Sequence, residues 1–241
     1  MAKLEHTRLS SVLSGPGFAF VPGRELRELL AGRHGLGDWP WLEASYDDLG
    51  VDTYMRDGGR YRRRRHAVFT VERGGRITRE SHQPHYQGLE WNPLNGGIER
   101  WFEPMAEDVG RGESMRAVLA FCGATFGGLR PDVTRWHVET HQFRIEAKAG
   151  ESGKPTPEGM HRDGVDYVLV LLVRRTNIAS GETTIADLEK RPLGSFTLEQ
   201  PFDAALVDDR RVYHGVTPVA PVDARLPAFR DVLVVTFRAA A

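Results

Sequence analysis

The stretch VDYVLVLLVRRTNIASGETTIADL (residues 165–188), followed by FDAALVDDRRVYHGVTPV (202–219), decides the fold. Both are short runs of Val, Ile, Leu and Thr broken by Gly, Asn, Asp and Pro, the composition of strands and tight turns. Strands are predicted near 165–174, 182–186, 204–207 and 211–217, and the gaps between them are too short for the crossover helix that a parallel pair needs. Working outward, the same chemistry recurs at 134–146 and 231–238, and at 61–71 and 76–81 around the Gly74–Gly75 turn. Two segments have helical spacing. RELRELLAG follows Pro22, with Leu26, Leu29 and Leu30 ahead of Gly32; a second begins near Glu113, with Met115, Val118, Leu119 and Cys122 on one stripe, and is expected to end at Gly127 and Gly128. N-terminal helices followed by closely spaced strands predict a mainly β protein, a sandwich or cupin-like jelly roll with helices packed on one face.

The 241 residues carry 40% hydrophobic and 27% charged side chains, enough apolar material for a well-buried core. With no repeat, linker or compositional break, the reading is a single domain over 1–241: a helix-and-strand extension to about residue 130, then a jelly-roll core over about 131–241. Lys and Arg number 32 against 33 Asp and Glu, a net charge of −1, so nucleic acid is not an expected partner. Cys122 is the single cysteine and cannot form an internal disulfide, and MAKLEHTRLS at the start lacks the apolar segment of a secretion signal; a cytoplasmic protein is expected. The longest apolar run, Val165 to Val173, is interrupted by Asp166 and falls short of the roughly 20 residues a membrane helix requires.

His161-Arg162-Asp163 sits between the PTPEG loop and the 165–173 run, at a loop-to-strand junction. On extended backbone, residues i and i+2 point the same way with Cα atoms about 6.6 Å apart, so this imidazole and carboxylate can grip one ion. A triplet of this kind also arises by chance, and its weight comes from context. His214, in DDRRVYHGVTPV, ends a second strand. Two His and one carboxylate from two strands make a facial triad, a ligand set that leaves positions open and suits non-haem Fe(II) binding a cosubstrate and oxygen together. Arg230 opens the last apolar strand, where a guanidinium offers a two-pronged grip to a carboxylate. Taken singly, the histidines would be surface or core residues and Arg230 would pair with Asp231; the ordered set points to a site.

With these residues in this order, the chain resembles the Fe(II)/2-oxoglutarate-dependent dioxygenases. PEGMHRDGVDYVLVLL, SGETTI, LVDDRRVYHGVTPV and FRDVLVVTF, with YRRRRHAVF and WHVETHQFRI upstream, look like the bacterial 2OG-Fe dioxygenase family that includes L-isoleucine 4-hydroxylase, over about residues 50 to 238. The resemblance implies a double-stranded β-helix, Fe(II), and 2-oxoglutarate and O2 as cosubstrates. It implies that an unactivated C–H bond of a free L-amino acid or close derivative is oxidised, by default hydroxylated, as 2-oxoglutarate becomes succinate and CO2. Ring closure or desaturation in natural-product biosynthesis would use the same cofactors. Position by position, His161, Asp163 and His214 match the iron ligands and Arg230 matches the holder of the far carboxylate of 2-oxoglutarate. Some branches place a serine two residues after that arginine; here Val232 stands there, and Thr183 in the SGETT turn is the hydroxyl expected to help. Arg225, in an ARLP loop, competes with Arg230, whose direction on a strand is better constrained. The presence of Asp163 disfavours the family's halogenating variant, which leaves that ligand position to chloride. Outside this class stand a metal-binding jelly-roll isomerase or lyase and a non-catalytic binding module; both leave Arg230 without a 2-oxoglutarate to hold.

The run His137-Val138-Glu139-Thr140-His141 could be mistaken for a zinc site. As a strand it puts His137 and His141 roughly 13 Å apart at the Cα atoms, too far to share an ion readily. Glu139 and His141 are then one face of a strand entering the pocket, where they contact substrate or satisfy buried polar partners. A free amino acid needs an acceptor for its ammonium and a donor for its carboxylate; Glu139 and His141 are expected to supply them, with Arg144 requiring a bulge to join. Strand alternation splits Arg62–Arg65 into two pairs on opposite faces, and Arg63 with Arg65 is the pair expected to be available to an anionic substrate. Cys122 is expected to be a small core residue.

Overall fold

The computed structural model describes residues 2–240; Met1 and Ala241, and with them the outer limits of the 1–241 reading, lie outside the described residues. The helices are α1 (Ala2–Ser14), α2 (Gly23–His34), α3 (Trp39–Ala44), α4 (Glu107–Arg111) and α5 (Glu113–Leu129). The strands of the first half are β1 (Phe18–Val21), β2 (Arg62–Glu72), β3 (Ile77–Arg79), β4 (His85–Tyr86) and β5 (Glu99–Arg100). Those of the second half are β6 (Arg135–Ala147), β7 (Tyr167–Thr176), β8 (Ile178–Ser180), β9 (Glu182–Ala186), β10 (Pro192–Thr197), β11 (Ala204–Asp208), β12 (Tyr213–Val216), β13 (Val219–Pro221) and β14 (Ala228–Ala239). A seven-stranded antiparallel sheet runs in the order β1-β11-β7-β14-β6-β2-β3, and a three-stranded sheet runs β10-β9-β12. The two form a jelly roll.

Period-two alternation gives the large sheet two different faces. On one face Ala67, Phe69, Trp136, Val138, Leu169, Leu171, Leu233, Val235 and Phe237 pack in one core with Leu13 of α1, Leu26 and Leu30 of α2 and Met115, Val118, Cys122 and Phe126 of α5. On the other face Val168, Leu172 and Val232 meet Ile185, Leu198 and Val212 from the small-sheet side. The resulting order is helices, large sheet, small sheet, with the helices on one face as expected. Helix α5 is largely buried because its apolar stripe is wide. Asp38 satisfies one of its free N-terminal donors by accepting the Ser114 amide at 2.9 Å.

Several boundaries move for local reasons. β7 starts at Tyr167, after Asp166, whose carboxylate accepts the Ala239 amide and the Arg130 guanidinium. β14 starts at Ala228, so Arg230 is its third residue and not its first. Gly127 and Gly128 stay within α5. The 76–81 segment shortens to Ile77–Arg79, across a turn in which Gly75 has φ +84°. The pattern does not signal helices α1, α3 and α4 or the short strands β1, β4, β5, β8, β10 and β13. Among the described residues no helix is long and apolar enough to cross a membrane.

Candidate metal centre and binding cavity

His161 and His214 face each other across an isolated antiparallel bridge, each backbone N–H donating to the other's carbonyl at 2.9 Å. That pairing sets the ring centroids 4.4 Å apart. Asp163 completes the group: its carboxylate oxygens lie 3.5 Å from His161 Nε2 and 3.6 Å from His214 Nε2. The three candidate ligand atoms fall within 4.8 Å of one another. The Asp163 turn is wrapped around another carboxylate, Asp209, which accepts the amides of Asp163 and Gly164 at 2.8 Å and of Val165 at 3.1 Å. Gly164 suits this turn twice over: its φ is +79°, and a Cβ there would stand 2.6 Å from the Trp91 ring. Gln87 donates to the Asp163 carbonyl at 3.1 Å, and His161 Nδ1 lies 3.0 Å from the Gly159 carbonyl, which turns Nε2 toward the centre.

Electrostatics separate the two imidazoles. Burial disfavours charge on both, but at His161 the Asp163 and Glu158 carboxylates outweigh it and lift the pKa to about 9. At His214 burial and the facing His161 push the pKa down to about 4. Burial opposes the Asp163 charge too, yet the two imidazoles hold its carboxyl well below the usual range. A divalent ion bound by both rings has to displace the His161 proton, so its affinity depends on pH.

The same cavity, about 270 Å³, reaches Arg230. Arg230 is fully buried, and among the described residues its Nε and Nη2 meet no acceptor. Burial and the neighbouring Arg175 push its pKa down to about 10, which leaves it cationic at neutral pH. A buried cation without a carboxylate partner is costly, and a bidentate anion would remove that cost. The residues present therefore fit the pair of groups their pattern implies: two imidazoles and a carboxylate for the metal, an unpartnered guanidinium for 2-oxoglutarate. Arg225 lies elsewhere, its side chain 88% exposed and paired with Asp223 at 2.8 Å. Thr183 is buried opposite Val216 in β9, but it is not part of the cavity wall; Thr156 and Thr236 are.

Glu139 and His141 do line the cavity, within an arrangement the sequence did not reveal. Glu139 meets His66 Nε2 at 3.1 Å, His141 Nε2 at 3.6 Å, His137 Nε2 at 3.4 Å, and His85 Nδ1. The donor atoms of His66, His85, Glu139 and His141 fall within 4.8 Å. Separation along the strand keeps His137 out of this group, as expected, but β2 and β4 bring two further histidines. An Arg64 guanidinium N–H donates to His141 Nδ1 at 2.7 Å, so neutral His141 carries its proton on Nε2, toward Glu139. Burial drives the pKa values of His66, His85 and His141 down, while the surrounding N–H donors outweigh burial at Glu139 and hold it well below the carboxylate range. The cluster is thus one carboxylate ringed by neutral imidazoles, beside a cation. His141, neutral and engaged by Arg64, is not the cationic donor expected for a carboxylate.

The other arginines also sort differently from expectation. Arg62 and Arg64, on the cavity face of β2, line the cavity; Arg63 and Arg65 point away, to Glu146 and to Asp48 with Glu103. Arg144 lies on the far face, where it binds both Asp231 oxygens at 2.7 and 2.8 Å and Asp47 at 2.7 Å. Cys122 is a buried thiol whose pKa burial raises.

A histidine pair and a carboxylate in a jelly roll, sharing one cavity with an unpartnered buried arginine, is the arrangement of a non-haem iron oxygenase. Residues 43–236 match the 2OG-Fe dioxygenase family, and the chain belongs to it. It is a non-haem oxygenase that uses Fe(II), 2-oxoglutarate and O2. A relative named 3(1)-hydroxy-L-isoleucine 4-dioxygenase, from Pantoea ananatis, is 28% identical over 94% of this chain and 93% of its own. The crystal structure of a bsmA homolog from Methylobium petroleophilum is 38% identical, with a TM-score of 0.89 over 97% of this chain and 93% of that one. The crystal structure of IDO from Bacillus thuringiensis shares the fold at 17% identity, with a TM-score of 0.80 over 98% of this chain and 100% of its own.

Proposed function

We propose that this oxygenase acts in the cytoplasm on a free L-amino acid or close derivative, hydroxylating an unactivated carbon as 2-oxoglutarate is converted to succinate and CO2. His161, Asp163 and His214 would hold the iron, which supplies the oxidising chemistry when O2 and 2-oxoglutarate are bound. Arg230 donates to the far carboxylate of 2-oxoglutarate. Asp209 keeps Asp163 aimed through the three amides it accepts, and Gln87 fixes the same turn from the other side. Glu139 accepts the substrate ammonium, and His141 beside it holds that carboxylate in place and touches the substrate. The observation that carries this reading is one cavity whose wall includes the triad, Arg230 and Glu139. The Pantoea ananatis relative, named as a hydroxyisoleucine dioxygenase, supports the amino acid class.

The test is a panel of free amino acids with the purified protein, Fe(II), ascorbate and 2-oxoglutarate. The expected result is succinate above the amino-acid-free rate with at least one member, together with a product one oxygen atom heavier. A product lighter by two hydrogens would replace hydroxylation with ring closure or desaturation. Absence of stimulated succinate formation across the panel would overturn the substrate class.

A further inference from the structure

We infer that Arg64 and Arg100 form the pocket that receives the substrate's α-carboxylate, with Glu139 opposite for the ammonium, so that the cavity is matched to a zwitterion. This rests on the amino acid reading above and adds the residues that select for the acid group. Arg64 from β2 and Arg100 from β5 are 4% and 2% exposed, and both line the cavity. Both pack on the ring of Phe102, with guanidinium carbons 3.4 and 5.6 Å from its centroid; Phe143 lies 4.4 Å from that of Arg64.

Their hydrogen-bonding capacity is not used up. The Nε atoms of both are buried without an acceptor among the described residues. Asp52 is held mainly by Arg62, at 2.8 Å, and reaches Arg64 only at 3.5 Å. Among the described residues no carboxylate lies within ion-pair distance of Arg100, whose guanidinium donates to Gln87 Oε1 over a long 3.4 Å. Two buried guanidiniums this poorly neutralised carry a large desolvation cost, and a carboxylate bound across them would offset it through charge-assisted hydrogen bonds. Burial pushes both below the usual arginine range, in keeping with that deficit.

The spacing suits an α-amino acid. Arg64 and Glu139 are separated by the His141 imidazole and its contacts of 2.7 and 3.6 Å, a span comparable to that from donor to acceptor across a bound carboxylate and its neighbouring ammonium. His141 is accordingly a positioning residue, holding the two charges apart in register. Arg230 lies on β14 opposite Ile145, and Arg64 on β2 opposite Phe143, so the two anion-binding ends sit in different rows of the sheet.

The experiment is equilibrium binding to anaerobic protein loaded with Fe(II) and 2-oxoglutarate, using each panel amino acid and its α-carboxamide. Wild type is expected to prefer the acid over the amide by about 30-fold or more, the fold-change of a lost charge-assisted pair. Arg64→Gln and Arg100→Gln should each remove most of that preference by weakening acid binding alone, and Arg100→Lys should keep part of it. Affinity for 2-oxoglutarate, measured in the same variants, reports whether the fold and the Arg230 end are intact, and Arg100→Lys is the variant to read if a glutamine variant does not fold. A preference that survives all three substitutions overturns the assignment while leaving the amino acid reading in place. Loss of 2-oxoglutarate affinity in folded Arg100→Lys, to the same degree as acid affinity, also overturns it, because the arginines then serve the cosubstrate. Failure of every amino acid to bind wild type takes down both readings together.

Discussion

Single side chains carry the proposed chemistry at two places in the cavity. His161, Asp163 and His214 are held by the protein's own hydrogen bonds, through the 161–214 bridge and the Asp209-anchored turn. Replacing any one of the three with Ala is therefore expected to abolish turnover and metal binding while the thermal midpoint moves by only a few degrees. A variant that keeps full activity under limiting Fe(II) would leave the ligand set. At the other place, Arg230→Ala should raise the 2-oxoglutarate requirement by roughly 30-fold or more, since a buried bidentate contact is worth about 2–5 kcal/mol. Arg225→Ala, at an exposed pair with Asp223, should change it little. The reverse outcome, read from apparent KM values for 2-oxoglutarate, would move the anchor to the loop. These four residues are legible in the sequence because they stand in a fixed order, His161 and Asp163 ahead of the β7 run, His214 in β12 and Arg230 near the start of β14. Arg100, His85 and His66 are not: Arg100 and His85 reach the cavity on the two-residue strands β5 and β4, too short to show a pattern, and His66 meets Glu139 only through the long-range pairing of β2 with β6.

At the scale of elements, the period of two explains both what was legible and what was not. It places Glu139 and His141 on the cavity face of β6 and Arg144 on the opposite face, where Asp231 of β14 meets it. It also shows that Arg62–Arg65 must divide between faces, but it cannot say which pair points inward; the β2–β6 register, with Arg64 opposite Phe143, settles that. Short strands such as β8 and β13, of three residues each, carry too little periodicity to be seen. Asp209 was likewise hidden in the DDRR run, where two adjacent aspartates look alike. Asp208 pairs with Arg210 at 3.1 Å, whereas Asp209 accepts three successive amides and so shapes the Asp163 turn. Asp209→Ala would leave those amides without an acceptor and free the turn to relax. Metal affinity should fall by about 10–100-fold, as for lost supporting contacts at metal sites generally. A titration with Co(II) or Fe(II) showing wild-type affinity would mean that the turn is held by other contacts.

For the whole molecule, the buried histidines set how folding stability depends on pH. His66, His85 and His141 titrate in the folded protein below the 6.5 or so of an unfolded chain. The unfolded state therefore takes up their protons first on acidification, and the stability they contribute is complete above about pH 6.5 and declines as pH falls below it. Each ring adds up to about 1.4 kcal/mol per pH unit to that slope. Glu139 does not set the onset, because its depressed folded-state pKa keeps its contribution present above the ordinary carboxylate range and releases it only at lower pH. His161 has the opposite sign: with a folded value of about 9, its contribution is fully present below about 6.5 and is lost as pH rises toward 9. Four depressed rings, three in the His–Glu cluster and His214 beside Asp163, against the one raised ring of His161 give a stability maximum near neutral pH with the steeper side toward acid. Urea midpoints of the metal-free protein between pH 5 and 9 should trace that asymmetry, and His66→Gln with His85→Gln should flatten the acid side alone. A midpoint constant from pH 7.5 down to 5.5 would mean that these imidazoles open to water before the molecule unfolds.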